Sequence, residues 1–379
     1  MKIIIAPDSF KESLRASQVC DAIESGMKNI LTETKFKKIP LADGGEGTME
    51  TILASRQSKI IYENVCNPLG KRLLAPYAIL KNDNIAVIEM AKASGLQLLQ
   101  SSEQNPMFTA TYGTGELIKY ALDRGCRDFY IGVGGSATTE LGFGALKALG
   151  IKFLDKNGES IFPIGSNLQK ITDIDISQLD QKAKQSKFFI ACDVKNKLLG
   201  KNGAAQVYSK QKGAIDAEVQ ILAKSLESIH NIILRKFNID IDVKYGGAGG
   251  GFPAGFLAFL NAELKSGAEI VHELLDLPPK IAKCDLIITG EGQYDSQTKE
   301  GKTVAALQKL AQKYNKPVII LTGNILNYQD IKKEIILSIT PGLIPKKESI
   351  EYSAQLLEQT GKQVAKIIKT TQQIIQNEE

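Results

Sequence analysis

Four short apolar runs near the two ends of the chain set the strongest limit on its fold: Ile3–Ala6, Leu286–Thr289, Val318–Leu321 and Ile335–Ile339. Each is rich in branched residues and too short for a helix. Amphipathic helical stretches are interleaved with them, at about Ser17–Ile30, at Val304–Tyr314 and from about Ile350 onward. Short buried strands alternating with helices predict a parallel sheet covered on both faces.

The middle of the chain reads differently. Asn67-Pro68-Leu69-Gly70 and Lys81-Asn82-Asp83-Asn84 are turn sequences, which predicts antiparallel pairing of Arg72–Leu80 with Ile85–Glu89. Asp155-Lys156-Asn157-Gly158 predicts a further hairpin, with Asn-Gly where positive φ is needed. A long helix is expected over Asp216–Phe237, with Val219, Leu222, Leu226, Ile229 and Ile233 on one face. Pro278-Pro279 marks the return to the parallel sheet. At roughly 150 residues per domain, a chain of this length holds two or three domains. The expected fold class is α/β with two domains. A discontinuous Rossmann-like parallel-sheet domain (residues 1–66 and 283–379) is interrupted by an inserted mixed α/β domain (67–282). The active site is expected in the cleft between them.

Composition narrows the chemistry. The chain has 33 glycines, two histidines and no tryptophan, so backbone groups and carboxylates, not imidazole, should carry the function. His230 and His272 lie in helical stretches with no second histidine at i+3 or i+4, which argues against a zinc site. The five cysteines are far apart with no Cys-x-x-Cys pair, as expected of reduced thiols in a cytoplasm. The net charge of +5 is spread along the chain and predicts neither a nucleic-acid nor a membrane-surface footprint. No apolar stretch approaches the roughly 18 residues of a membrane span, and the N-terminal run is too short for a signal peptide. A soluble, cytoplasmic protein is expected.

Five loops combine glycine, acids and hydroxyls at strand ends. The first, Pro7–Leu14, follows the first strand, where open parallel sheets bind ligands. Asp8 suits a base or metal ligand there, Lys11 a phosphate or carboxylate, and Ser9 a hydroxyl contact; alternatively Ser9 or Ser13 simply caps a helix. The second, Ala42-Asp43-Gly44-Gly45-Glu46-Gly47-Thr48, offers Asp43 and Glu46 as hard oxygen ligands for Mg²⁺-phosphate. The third, Gly132–Thr139, follows strand Phe129–Val133. Its Gly132-x-Gly134-x-x-Ala137 spacing, with Asp155 beyond, has a dinucleotide-binding layout. The preferred reading is an anion site built from Gly134, Gly135, Ser136, Ala137 and Thr138 at a helix N-terminus, for a phosphate or a carboxylate. The fourth loop places Asp193 after the buried strand Phe188–Cys192, as a candidate general base. The fifth, Thr289–Thr303, supplies Glu291 and Asp295 for a metal or for substrate hydroxyls, and Gln297 and Lys302 for substrate or phosphate. It is not a Walker motif, because Ser296 stands where the first glycine is required. Gly246–Gly251 is either another anion cradle or a hinge.

Taken together, these loops resemble the type-1 glycerate kinase family over essentially the whole chain. The residues that carry the resemblance are Ile5-Ala6-Pro7-Asp8-Ser9-Phe10-Lys11, Ala42–Thr48, Ile88-Glu89-Met90-Ala91, Asn105-Pro106, Thr111–Ile118, Gly134–Thr138, Ala191–Val194, Gln211–Ala214 and Thr289–Thr298. The resemblance implies ATP- and Mg²⁺-dependent phosphorylation of a hydroxyl of D-glycerate, with 2-phosphoglycerate favoured over 3-phosphoglycerate. It also implies two α/β domains, one inserted in the other. Glu140 and Gln293 depart from the family pattern, which usually has Asn-Asp and Gly-Glu-Gly-Arg at these places. Phosphoryl transfer needs mainly positioning and charge neutralisation. Asp193 is then the expected base and Lys11 the charge neutraliser, with Asp8, Asp43, Glu46, Glu291 and Asp295 as metal or substrate ligands. The expected partners are D-glycerate and ATP, with no nucleic acid and no membrane; assembly into a homo-oligomer is left open. Two rival readings are a nicotinamide-dependent dehydrogenase of a small hydroxy acid and a non-catalytic sugar-acid-binding protein.

Overall fold

The computed structural model describes residues 1–10, 12–42, 48, 51–52, 57–80, 84–294, 303–326 and 335–378. Two compact units emerge, one comprising Met1–Asp43, Glu50–Ser55 and Val271–Glu379, the other Gly44–Met49 and Arg56–Ile270.

In the first unit β1 (Lys2–Ile5), β2 (Lys35–Lys38), β12 (Leu286–Tyr294), β13 (Val318–Ile325) and β14 (Ile335–Ser338) form one parallel sheet in the order β14-β13-β12-β1-β2. Alternation along β1 sends its side chains to two separate cores. Ile3 and Ile5 pack with Val19, Ile23, Leu357 and Val364 from helices Ala16–Lys28 and Ser353–Glu378. Ile4 and Ala6 pack on the other face with Leu275, Ile281, Leu307 and Ala311. β12 and β13 run past the apolar segments that predict them, pairing as far as Tyr294↔Ile325. The polar stretch Gly290–Tyr294 has no hydrophobic alternation and so reads as loop, yet the ladder with β13 makes it strand.

In the second unit β3 (Ser58–Cys66), β4 (Arg72–Leu80), β5 (Ile85–Glu89), β6 (Asp128–Gly132), β10 (Lys187–Cys192) and β11 (Glu263–Ser266) form a mixed sheet in the order β11-β10-β6-β5-β4-β3. The four strands β5, β6, β10 and β11 are parallel, and β3-β4 and β4-β5 are antiparallel. A small antiparallel sheet, β8-β7-β9, joins β7 (Lys152–Leu154), β8 (Ser160–Ile161) and β9 (Asp173–Asp175). The helix Asp216–Phe237 buries the apolar stripe that predicts it, Val219, Leu222, Leu226, Ile229 and Ile233. The division between units departs from boundaries at 66 and 283 in two places. β3 pairs with β4 over its whole length, and Val271–Ala282 packs under the first sheet. Among the described residues, no helix is long and apolar enough to cross a membrane.

The helices Ala16–Lys28 and Ser353–Glu378 touch through glycine: a Cβ on Gly26 would collide with the Glu358 carbonyl, and one on Gly361 would press on the Ile23 carbonyl. Gly26→Ala is therefore expected to destabilise the first unit by about 2 kcal/mol, since overpacking against backbone cannot be relieved by a rotamer change. Urea unfolding followed by circular dichroism measures it, and an unchanged midpoint would contradict this contact.

Candidate active site

Register alone gathers four strand ends in the second unit. Glu89, Gly132, Ala191 and Lys265 align across β5, β6, β10 and β11, so the segments leaving those strands emerge at one carboxyl edge. That is the edge at which parallel α/β sheets hold ligands. Here Gly134 and Gly135 reach towards solvent, Gly135 at φ +69, while Ser136–Glu140 turn inward and are buried.

The loop is fastened at every step. Leu96 N–H donates to Gly135 O at 2.9 Å and Ala137 N–H to Ser94 O at 2.9 Å. The Thr109 hydroxyl donates to Ala137 O at 2.8 Å. Lys212, only 3% exposed, donates its Nζ to Ser136 Oγ at 2.8 Å and to Thr138 O at 2.6 Å. Burial pushes the Lys212 ammonium well below its ordinary range, and the charge of Glu140 pushes it back up. Sequence reasoning gave Lys212 no role; its signal was the Gln211-Lys212-Gly213-Ala214 string. Glu89, 4% exposed at the end of β5 with Lys92 Nζ 3.6 Å away, is a second carboxylate at this edge that was not singled out.

Glu140 departs from the family pattern and is fully buried. Its Oε2 accepts from Gly144 N–H at 2.6 Å, capping the helix Phe143–Ala148 from within the chain. Burial raises its carboxyl to about 7, opposed by the Gly144 and Gly142 N–H groups, the Thr111 hydroxyl and the Lys212 charge. The N-terminus of that helix is thus already met by a protein carboxylate. Gly249, Gly250 and Gly251 all adopt positive φ, and a Cβ on Gly250 would strike the Thr138 carbonyl. The Gly246–Gly251 segment is therefore a close-packed backing for the loop, which decides between the cradle and hinge readings in favour of neither. The dinucleotide layout does not hold either. Ten residues, not a tight turn, separate β6 from the next helix. Asp155 Oδ1 accepts from Asn157 and Glu159 N–H, both at 2.9 Å, which makes it a hairpin former.

Asp193 follows β10 at the same edge and is exposed, next to the fully buried Cys192. Burial, then the Asp193 charge, holds the Cys192 thiol far above its ordinary value. Burial raises the other four thiols too, so no cysteine is a ready thiolate nucleophile.

In the first unit, Asp8 N–H donates to Gly290 O at 2.8 Å, setting Asp8 at the carboxyl end of β1 beside Glu291 of β12. Both residues are half-buried. Ser9 N–H donates to Asp8 Oδ1 at 2.6 Å, and its hydroxyl lies 3.3 Å from the same oxygen. Neither Ser9 nor Ser13 caps the following helix: Gln18 Oε1 accepts from Arg15 N–H at 3.0 Å, and Ser13 Oγ donates to Ile350 O at 2.9 Å. Leu41 N–H donates to Pro7 O at 2.9 Å, bringing Leu41 alongside the segment that leads into Asp8. Lys11, Asp43, Glu46, Asp295, Gln297 and Lys302 lie outside the described residues.

Two outcomes follow from the Lys212 brace. Lys212→Met strands Ser136 Oγ, the Thr138 carbonyl and Glu140, and should cost about 3 kcal/mol in urea unfolding, the usual scale for breaking one side of a buried polar arrangement. Glu140 has its folded value raised from 4.5 to about 7, so its protonated form favours the native state. Relative to Glu140→Gln, the natural chain should then lose stability as pH rises between these two values. A parallel pair of stability–pH curves across that window would refute the assignment.

The glycerate kinase family model matches residues 3–369. The chain is 40% identical over 374 residues to the glycerate kinase of Bacillus subtilis, covering 97% of this chain and 98% of that one. It is 45% identical over 326 residues to the glycerate 2-kinase of Escherichia coli, covering 86% of each. A solved glycerate kinase 2 structure from Salmonella typhimurium LT2 superposes with a TM-score of 0.89 at 39% identity, over 98% of this chain and 99% of that one. The chain belongs to the glycerate kinase family.

Proposed function

We propose that the protein transfers the γ-phosphoryl group of ATP to the 2-hydroxyl of D-glycerate, with Mg²⁺, giving 2-phosphoglycerate and ADP. The observation that carries this reading is the exposed Asp193 carboxylate at the same strand edge as the braced Gly134–Thr138 loop. In this reading Asp193 takes the hydroxyl proton as the oxygen attacks phosphorus. The Gly134–Gly135 backbone, held open by the Lys212 brace, meets a phosphate or the glycerate carboxylate without needing a side chain there. The choice of the 2-hydroxyl draws support from the Escherichia coli relative, which is named a glycerate 2-kinase.

Asp8 and Glu291 are the described residues that suit Mg²⁺, being hard oxygen donors side by side, Asp8 just beyond β1 and Glu291 within the adjacent β12. Among the described residues no three acidic, histidine or cysteine side chains gather into a metal cage. Mg²⁺ in phosphoryl-transfer sites commonly takes one or two carboxylates and completes its shell with water and phosphate oxygens. When bound, Mg²⁺ would neutralise charge on the transferring phosphate. Lys11 would add a cation, and the five free cysteines accord with a cytoplasmic setting.

Release of ADP on mixing the protein with ATP, Mg²⁺ and D-glycerate tests the reaction. Conversion of the product by enolase without a mutase tests the position of transfer. Asp193→Asn should lower kcat by about 100-fold or more while KM changes little, the scale of a lost general base. Near-normal turnover would remove Asp193 from that role. Asp8→Asn and Glu291→Gln should each raise the Mg²⁺ concentration needed for half-maximal rate.

A further inference from the structure

The first unit has a second concave feature, at the end of its sheet opposite Asp8 and Glu291. It is a cavity of about 560 Å³ between β1, β2 and the helix Leu277–Ala282, lined by Lys2, Lys35, Lys37, Lys280 and Lys283 with Asp276 as the one lining carboxylate. Its volume falls within the range of small-molecule sites, and it is a concavity open to solvent on one side.

The strand register explains how the lysines meet. Lys2 pairs with Lys35 and Ile4 with Lys37, so all four point to the face that carries the core around Ile4, Leu277 and Ile281. That core stops short of the edge strand, and the cavity opens where it stops. Lys38, on the opposite face of the same strand, gives the contrast. The helix packed there supplies Asp21 at 2.7 Å and Glu24 at 3.0 Å. The helix beside Lys35 and Lys37 supplies Lys280 instead, with Lys283 just past its C-terminal end. Among the described residues, no carboxylate lies within 4 Å of the ammonium groups of Lys2, Lys35, Lys37 or Lys283. Lys280 donates to the Leu275 carbonyl, and Asp285 is engaged by the Lys2 backbone N–H at 2.7 Å.

Lysines on an edge strand also discourage edge-to-edge aggregation, which accounts for charge on β2. It does not account for Lys280 on the facing helix and Lys283 just past it, or for a concavity between them and the strand. Like charges gathered around a concave, partly apolar wall create a focused positive potential.

We infer that this cavity binds a small soluble polyanion carrying at least two phosphoryl or carboxylate groups, at a site separate from the strand ends that hold Asp8 and Glu291. The inference does not rest on the kinase reading, because its readout is binding and not turnover.

Calorimetric titration of the full chain with inorganic pyrophosphate, in the presence of saturating ATP and Mg²⁺ and without glycerate, tests it. The natural chain should bind pyrophosphate and gain thermal stability, with both effects weakening as salt rises. The triple variant Lys35→Gln, Lys37→Gln, Lys283→Gln should lose about tenfold or more in affinity, whereas the Lys→Arg version at the same three positions should retain it. Retention keeps the charge while excluding a folding artefact. Equal pyrophosphate binding by the glutamine variant would overturn the inference. So would a natural chain that binds pyrophosphate no better than chloride at matched ionic strength. A single-stranded oligonucleotide that binds more tightly than pyrophosphate, with the same loss in the glutamine variant, would assign the lysines to a nucleic-acid surface and would also overturn it.

Discussion

One buried ammonium group holds the carboxyl edge of the second unit together. Lys212 lies 76 residues from Ser136 in sequence and 2.8 Å from its hydroxyl in space. Burying a lysine costs several kcal/mol in lost hydration. The structure offsets this with two hydrogen bonds to the loop and with the neighbouring charge of Glu140. Ser94 and Thr109 pin the loop from one side, and Gly250 packs against Thr138 from another. The loop's conformation therefore belongs to the whole unit. Its own glycines permit that shape, and four distant segments impose it.

This division of labour explains what could be read from the chain. β1, the Asp216–Phe237 helix and the Asp155–Gly158 hairpin are dictated by local signals: a branched run, a stripe at helical spacing, and Asn-Gly in a turn. All are visible within a few residues. The position of Asp193 was legible for a similar reason, because a buried strand must end and the residue after it stands at the sheet edge. The inward course of Ser136–Glu140 was not legible. A Gly-Gly-Ser-Ala-Thr string looks the same whether its amides face a ligand or its side chains face a lysine. Glu140 shows the difficulty most clearly. In the sequence it stands only as a departure from the family pattern, whereas the three-dimensional placement of Gly144 reveals a cap. Gly290–Tyr294 failed in the opposite sense, since cross-strand partners made a strand of residues with no strand pattern.

The same reasoning applies to charge, with a consequence for how composition is read. Counted along the chain, the +5 excess has no focus and argues against a nucleic-acid or membrane-surface footprint. Folding sorts charges by the faces on which strand alternation places them. In β2, Lys38 turns to a helix that answers it with two carboxylates. Lys37 and Lys35, one and three residues earlier in the alternation, turn to the opposite face, beside a helix that adds Lys280. A sequence of near-neutral balance can thus contain a strongly positive cavity because neutralisation is local and alternation separates neighbours. If that cavity holds an anion, the positive charge is functional at one face of the edge strand and structural at the other. Its four-residue sequence, Lys35-Phe36-Lys37-Lys38, would look identical in either case. The distinction resides in what each face meets, and no property of the strand alone contains it.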